Sequence, residues 1–511
     1  MKKLIYIATI ALGVVATSCA DSFLEVLPND TIDSEIVNEI MSKDVEQLQS
    51  YITAGYDETY GGNNSATNYD ELGYITEMLV TEHMAGDVGF PTNSNWYAYD
   101  YQNDNRMSEW RRTRSLWTPI YYTITNCCNP VIETLGGLES LTDETKTILY
   151  QAYALRAFSY FRLINLYQQP YQVDKDALGV PLYVEDATKN IPGRATVAQI
   201  YEQIISDLDK AYEMAKGMGY KKGKAALSEY SIALIYANVL LFTGDYANAA
   251  KYAEEAAKGG TLLSGDAIVQ NGFNSLDMSE VLWGYDVNVE TSWYYYCFVA
   301  YFDQYCDGWA PMGFNRFIDE KLYNKIGEKD IRKNWFGQGL TFINKDLTPE
   351  YAMSASPELI AKGLTKYLPN KFIDAVHTNP GAPFEADVIY FRVAEAYLVA
   401  AEAHYLNKDE ANAKKWLNDL IKTRIEGYNC NLSGEALYEE ICVQKRIELW
   451  GEGKRLFDVK RRNEHVERVG ATHPADLLNA TFNGQDAIMV YQIPKSELDN
   501  NEFITPDQQN P

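Results

Sequence analysis

The chain is predicted to be mostly α-helical, and three stretches carry that prediction. In Ser228 to Ala257 two helical patterns meet at Thr243-Gly244-Asp245. Glycine can take the left-handed conformation that ends one helix, and aspartate can cap the next. From Thr142 to Tyr167, Asp143 and Glu144 open a run that is apolar or small on nearly every face, as in a buried helix. In FRVAEAYLVAAEAHYLNKDEANAKKWLNDLIKTR, residues Ala401, Ala413, Leu417 and Leu420 repeat the logic of the first stretch.

Small residues mark where helices come close. Ala233 and Ala237 lie four apart on one helix of the first hairpin, and Ala249, Ala253 and Ala256 share a face of the other. With Tyr246 at the bend, the spacing matches the tetratricopeptide pattern. A single pair of this type cannot bury its apolar face, so neighbouring pairs are expected.

At the start, Lys2 and Lys3 precede the apolar run Leu4 to Ala16, which is too short to span a membrane, and Ala16-Thr17-Ser18 leads to Cys19. This is a lipoprotein-type signal over 1–18, with Cys19 as the lipidated first residue of the mature chain. The rest, 19–511, is expected to form one domain with three parts: helical pairs over 19–260, an irregular aromatic-rich part over 261–385, and C-terminal helices and a tail over 386–511.

A formal net charge of -26 argues against nucleic acid, which needs clustered basic residues. The aromatic load points elsewhere: 39 Tyr and 9 Trp offer flat apolar faces with a polar tip. These rings concentrate in two segments of turn-forming sequence. One begins at Ala85 and holds Asp87, Asn95, Trp96, Tyr97, Tyr99 and Tyr101; the other holds Trp283, Tyr285, Trp293-Tyr294-Tyr295-Tyr296, Tyr301, Trp309 and Phe314. Long irregular segments in a compact protein are usually functional surfaces. Between them, Trp110 to Leu135 returns to a helical pattern.

Cys127, Cys128, Cys297, Cys306, Cys430 and Cys442 have neither a dense disulfide spacing nor a metal-type pair, so their pairing is left open. No metal and no cofactor is expected. The five His are scattered, and in GMGYKKGKA the glycine spacing is wrong for a phosphate loop, with Ala225 in place of Ser or Thr.

Several of these stretches together resemble one family. Cys19 followed by DSFLEVLP, YALRAFSYFRLINLY, GVPLY then RATVAQIYEQIISDL, ALIYANVLLFTGDYANAAKYA, FRVAEAYLVAAEA, RIELWGEGKRLFDVKR, and YQIPKSEL with a terminal QNP occur in the order seen in the SusD/RagB nutrient-binding outer-membrane lipoproteins of Bacteroidota. The chain departs from that pattern after Leu166-Tyr167, where Gln168-Gln169-Pro170 intervenes before Gly179-Val180-Pro181, the mark of a local insertion. The resemblance implies a SusD-like fold, with tetratricopeptide-like hairpins as a scaffold under an irregular ligand-binding portion. It also implies an outer-membrane location facing the exterior, and a SusC-like TonB-dependent transporter as partner.

A sugar ring has an apolar C–H face and a rim of hydroxyls, so stacked rings with Asp and Asn beside them suit a glycan. The candidate ligand residues are therefore Trp96, Tyr97, Tyr99, Tyr101, Trp293, Tyr294, Tyr296, Trp309, Asp87 and Asn95, with the two ring-rich segments converging on one shallow surface. Peptide or other non-glycan nutrient binding is the alternative on the same fold. A glycan hydrolase is a weaker one, resting on Glu448 and Glu452, read as four apart on one helical face. Lys445, Arg446, Lys454 and Arg455 flank this pair, so helix salt bridges are the better account and no catalytic residue is assigned.

Overall fold

The structure is a computed structural model that describes residues 45–61, 68, 70–90, 96–185, 191–292, 297–304, 306, 308–310, 312–337, 357–374 and 384–511. It is mostly helical, with few short strands. The N-terminal part supplies α1 (Val45–Tyr60), α2 (Gly73–Ala85), α3 (Arg111–Tyr122), α4 (Asp143–Tyr167) and α5 (Val197–Ala215). Two hairpins follow in chain order, α6 (Glu229–Thr243) with α7 (Tyr246–Ala257) and α8 (Val393–Leu406) with α9 (Glu410–Ile421), before α10 (Glu435–Glu448) and α11 (Arg455–Arg462). The signal segment and Cys19 lie outside the described residues, and no described helix is long and apolar enough to cross a membrane.

Helix α4 is the centre of the core. The Thr142 hydroxyl accepts from the Thr145 N–H at 3.1 Å to start it, and every residue from Thr147 to Tyr167 is buried. Two arginines go into the interior with it, each paired. Arg156 meets Asp207 of α5 at 2.7 Å, and Arg162 meets Glu77 of α2. These pairs fix the flanking helices against α4, because a facing carboxylate offsets the cost of burying a guanidinium charge.

The remaining helices stack in sequence: α5 on α4, then α7 against α6, α8 against α7, and α9 against α8. Ala233, Ala237, Ala249, Ala253, Ala256, Ala401 and Ala413 are fully buried, so the close approach expected of the small residues is present. The two bends share one design. Asp245 accepts from the Asn248 N–H at 3.2 Å and the Asn248 side-chain amide at 2.7 Å; Asp409 does the same with Asn412 at 3.1 and 2.7 Å. Before each aspartate sits a left-handed residue, Gly244 at φ 90° and Lys408 at φ 67°. A side chain there costs about 1 kcal/mol. Urea unfolding is therefore expected to show Gly244→Ala losing about 1 kcal/mol and Lys408→Gly gaining up to about that amount.

Among the described residues there are four two-stranded antiparallel sheets, two of which tie distant segments together. They pair β1 (Val88–Gly89) with β5 (Phe317–Ile318), β2 (Leu178–Pro181) with β3 (Arg194–Thr196), β4 (Val281–Tyr285) with β6 (Val388–Arg392), and β7 (His465–Glu467) with β8 (Thr481–Asn483). The β1–β5 register, Val88 opposite Ile318, brings the two ring-rich segments side by side.

A buried charge cluster joins the irregular part to the C-terminal helices. Arg392 contacts Glu280 at 2.9 Å, Glu448 at 2.8 Å and Glu452 at 2.7 Å; Arg424 contacts Glu280 and Glu448 at 2.7 and 2.8 Å. Arg332 reaches Asp330 and Glu448, and Lys371 reaches Glu452 at 2.6 Å. Four cations (Arg332, Lys371, Arg392, Arg424) thus face four carboxylates (Glu280, Asp330, Glu448, Glu452), all buried.

The arrangement corrects the reading of Glu448 and Glu452. Helix α10 stops at Glu448, because Gly451 and Gly453 take left-handed φ of 79° and 75°, so the two carboxylates do not share a helical face. Their partners are distant arginines and a lysine, while Lys445 pairs with Glu402 and Asp458. Burial alone would raise the Glu448 carboxyl, but Arg424, Arg392 and Arg332 outweigh it and hold it well below the ordinary value; Glu452 is lowered in the same way by Arg392 and Lys371. A glycosidase acid needs the opposite shift.

Candidate functional site

The ring-rich segments meet at Trp96. Its ring lies 4.5 Å from Trp309, edge to face, and 5.4 Å from Phe314, so it is held from behind by the second segment. On the open side, a concavity of about 450 Å³ is walled by the rings of Trp96, Tyr99, Trp110 and Phe314. Tyr99 and Trp110 are 51% and 43% exposed, with centroids 5.6 Å apart and planes tilted by 35°. Trp110 stands immediately before α3, as its N-cap with extended backbone.

Asp70, Asn105, Arg111 and Arg112 form the polar lining. Arg111 donates to both oxygens of Asp70 at 2.9 Å and pairs with Glu71 at 2.7 Å. Arg112, buried, sits between Asp70 at 2.6 Å and Asp100 at 3.1 Å, and Asn105 donates to Asp100 at 3.1 Å. Burial pushes the Asp100 carboxyl up to about 6 even with Arg112 beside it. Two guanidinium groups therefore face three carboxylates (Asp70, Glu71, Asp100), and the cleft carries no surplus positive charge.

Beneath the rings, Arg316 anchors the second segment. It is fully buried and donates from Nη1 to the carbonyls of Phe314 at 3.0 Å and Tyr301 at 3.2 Å, while Nε donates to His83 Nε2 of α2 at 3.2 Å. Burial, with Arg316 and Arg112 nearby, keeps His83 well below its ordinary pKa, so the ring is neutral and can accept that bond. Burial also lowers Arg316 to about 10, which leaves it charged at neutral pH, with its guanidinium over Phe90, Tyr97 and Tyr301. At Gly308 any Cβ would come within 2.8 Å of the Ala300 carbonyl, so the loop carrying Trp309 closes tightly only with glycine there.

The expected ligand residues divide. Trp96 and Tyr99 line the cleft, and Trp309 packs behind Trp96. Tyr97 and Tyr101 point inward: Tyr97 lies against His83 and Tyr301, and Tyr101 bonds His473, which in turn meets Asp319 at 3.1 Å. Asp87 is buried and paired with Arg446 at 2.6 Å and Arg455 at 2.9 Å, so it belongs to the interior. Asn95, Trp293, Tyr294 and Tyr296 lie outside the described residues. Trp283 is core, and Tyr285 stacks on Tyr60 at 4.4 Å. Trp110, Asp70, Asn105 and the two arginines were missed, although Trp110 beside Arg111-Arg112 is an aromatic next to charge at a helix start. The six cysteines after Cys19 are free thiols.

Residues 270–511 match a family model described as the SusD family, and residues 22–229 match one described as starch-binding associating with outer membrane. SusD-like protein P2 of Formosa agariphila is 25% identical over 386 residues, covering 68% of this chain and 71% of that protein. SusD-like protein P25 of the same organism is 22% identical over 376 residues, covering 68% and 69%. Among solved structures, a SusD-like carbohydrate binding protein from Bacteroides vulgatus superposes with a TM-score of 0.76 at 22% identity, over 91% of this chain and 98% of that one. Surface glycan-binding protein A from Bacteroides uniformis does so at 0.65 and 19%, over 91% and 99%.

Proposed function

Because the chain belongs to the SusD family, we propose that it is a cell-surface glycan-binding lipoprotein, which captures oligosaccharide or polysaccharide and delivers it to a SusC-like TonB-dependent transporter. The observation that carries the reading is the cleft at Trp96, Tyr99 and Trp110, where rings at least partly open to solvent stand next to carboxylate, amide and guanidinium groups. Rings stack on the C–H face of a sugar, and the polar groups bond its hydroxyl rim. Cys19 supplies the lipid anchor to the outer membrane, and the helical hairpins are the scaffold. The chain acts by binding: Glu448 and Glu452 are committed to ion pairs in the interior and hold no proton to give.

The lack of surplus positive charge in the cleft supports an uncharged ligand over an anionic one. Titration calorimetry of the mature chain against neutral polysaccharides (starch, β-glucan, mannan, galactan) and anionic ones (polygalacturonate, sulfated galactan) is expected to give binding only among the neutral ones. That binding is expected to be insensitive to added salt, since no net charge is neutralised. Release of reducing ends from any of these polymers would overturn the binding-only reading, and silence across the panel would overturn the glycan reading. Co-purification of a TonB-dependent transporter with the membrane-anchored chain tests the delivery step.

A further inference from the structure

A second concavity, of about 420 Å³, runs along the outer face of α3, beyond the aromatic cleft. Glu58 and Glu71 form one side, and Arg114, Ser115, Thr118 and Tyr122 line it from the helix. It shares a wall with the cleft: Glu71 of this groove bonds Arg111 of the cleft at 2.7 Å, and Asp70 beside Glu71 bonds the same guanidinium. The two hollows therefore lie side by side, with the Arg111–Glu71 ion pair linking their linings. Helix α3 spans 12 residues, so Trp110 just before it and Tyr122 at its end stand about 18 Å apart.

The groove differs from the cleft in chemistry. Among the described residues its single ring, Tyr122, is at the far end, with hydroxyls, carboxylates and a guanidinium elsewhere along it. Pro119 adds an acceptor: lacking an N–H, it cannot satisfy the Ser115 carbonyl four residues earlier, so that oxygen is without its regular helical donor beside the groove. A groove that offers both acceptors and donors matches a chain of hydroxyl-rich rings.

We propose that this groove is a second subsite, which takes the continuation of an uncharged oligosaccharide whose end or inner ring stacks at Trp96, Tyr99 and Trp110. The proposal rests on the glycan reading above and adds that recognition extends along α3, so the ligand is a chain longer than a disaccharide. Arg114 and Thr118 are exposed, so changes there leave the core intact.

The test is calorimetry of the mature chain with size-fractionated ladders of malto-oligosaccharides and of β-glucan, mannan and galactan fragments. For the ladder that binds, affinity is expected to rise with length until both hollows are filled. Thr118→Trp, which fills the groove, is expected to lower affinity for the long fragments about tenfold and leave the shortest binding fragment unchanged. Arg114→Ala is expected to weaken the long fragments in the same selective way. Thermal unfolding of both variants serves as the folding control. Equal affinity for short and long fragments, or unchanged long-fragment binding in both folded variants while Trp96→Ala still loses binding, would overturn the subsite and leave the glycan reading standing. If no ladder binds, the glycan reading falls and the subsite with it.

Discussion

Arg392→Met is expected to destabilise the protein by about 3–5 kcal/mol, the usual cost of removing one member of a buried ion cluster. That is comparable with the whole stability of an ordinary domain, so the variant is expected to yield little folded protein. The cause is uncompensated charge. Arg392 touches three buried carboxylates, and without it Glu280, Asp330, Glu448 and Glu452 face only Arg332, Arg424 and Lys371. Arg392→Lys keeps the charge but loses the fork that reaches Glu280, Glu448 and Glu452 at once, and an intermediate loss is expected. Urea midpoints of the three proteins check the order; a midpoint for the Met variant near that of wild type would refute it.

The same cluster gives a pH dependence of known sign. Glu448 and Glu452 titrate lower in the folded chain than their ordinary value of 4.5. Their contribution to stability is therefore fully present above that value and is lost as pH falls below it toward the folded values. Urea midpoints are expected to drop steeply on the acid side of 4.5 as these carboxyls are forced to take up protons.

The second large effect is on binding. Trp96→Ala and Trp110→Ala are each expected to weaken glycan affinity by about 1 kcal/mol or more, roughly fivefold, and the double variant by more than tenfold. The two differ in their effect on the fold. Trp110 is half exposed and caps α3 through its backbone alone, so its loss leaves unfolding unchanged; Trp96 also packs on Trp309 and Phe314, so its loss lowers stability as well. Calorimetry with the polysaccharide that binds wild type, alongside thermal melts, separates the effects. Unchanged affinity in the folded double variant would remove the cleft as the site.

How far the sequence could be read depended on whether a residue's role followed from its neighbours in the chain. The hairpin at Gly244-Asp245 was legible because caps are local, and the burial of α4 because its composition is apolar all round. Lys408 in the left-handed position was not, since nothing in a lysine announces it. The buried arginines were equally silent: Arg156, Arg162, Arg332 and Arg392 look like surface residues until distant carboxylates are placed opposite them. In the first ring-rich segment, turn-forming neighbours suggested a loop. Ala98–Tyr101 is instead one helical turn, which puts Tyr97 and Tyr101, four apart, on the buried side and leaves Tyr99 outside. Trp110 was absorbed into a helical pattern, so its exposed face went unread.

The four-against-four charge cluster also limits how the protein can be divided. Glu280, Asp330, Arg332 and Lys371 come from the ring-rich part, and Arg392, Arg424, Glu448 and Glu452 from the chain after it. Some pairs close within a set, such as Arg332 with Asp330 and Arg392 with Glu448, but Glu280 meets Arg392 and Arg424, Arg332 meets Glu448, and Lys371 meets Glu452 across the divide. The ring-rich part is therefore not a detachable module: excised, or grafted onto another scaffold, it would carry its half of the lock without the key.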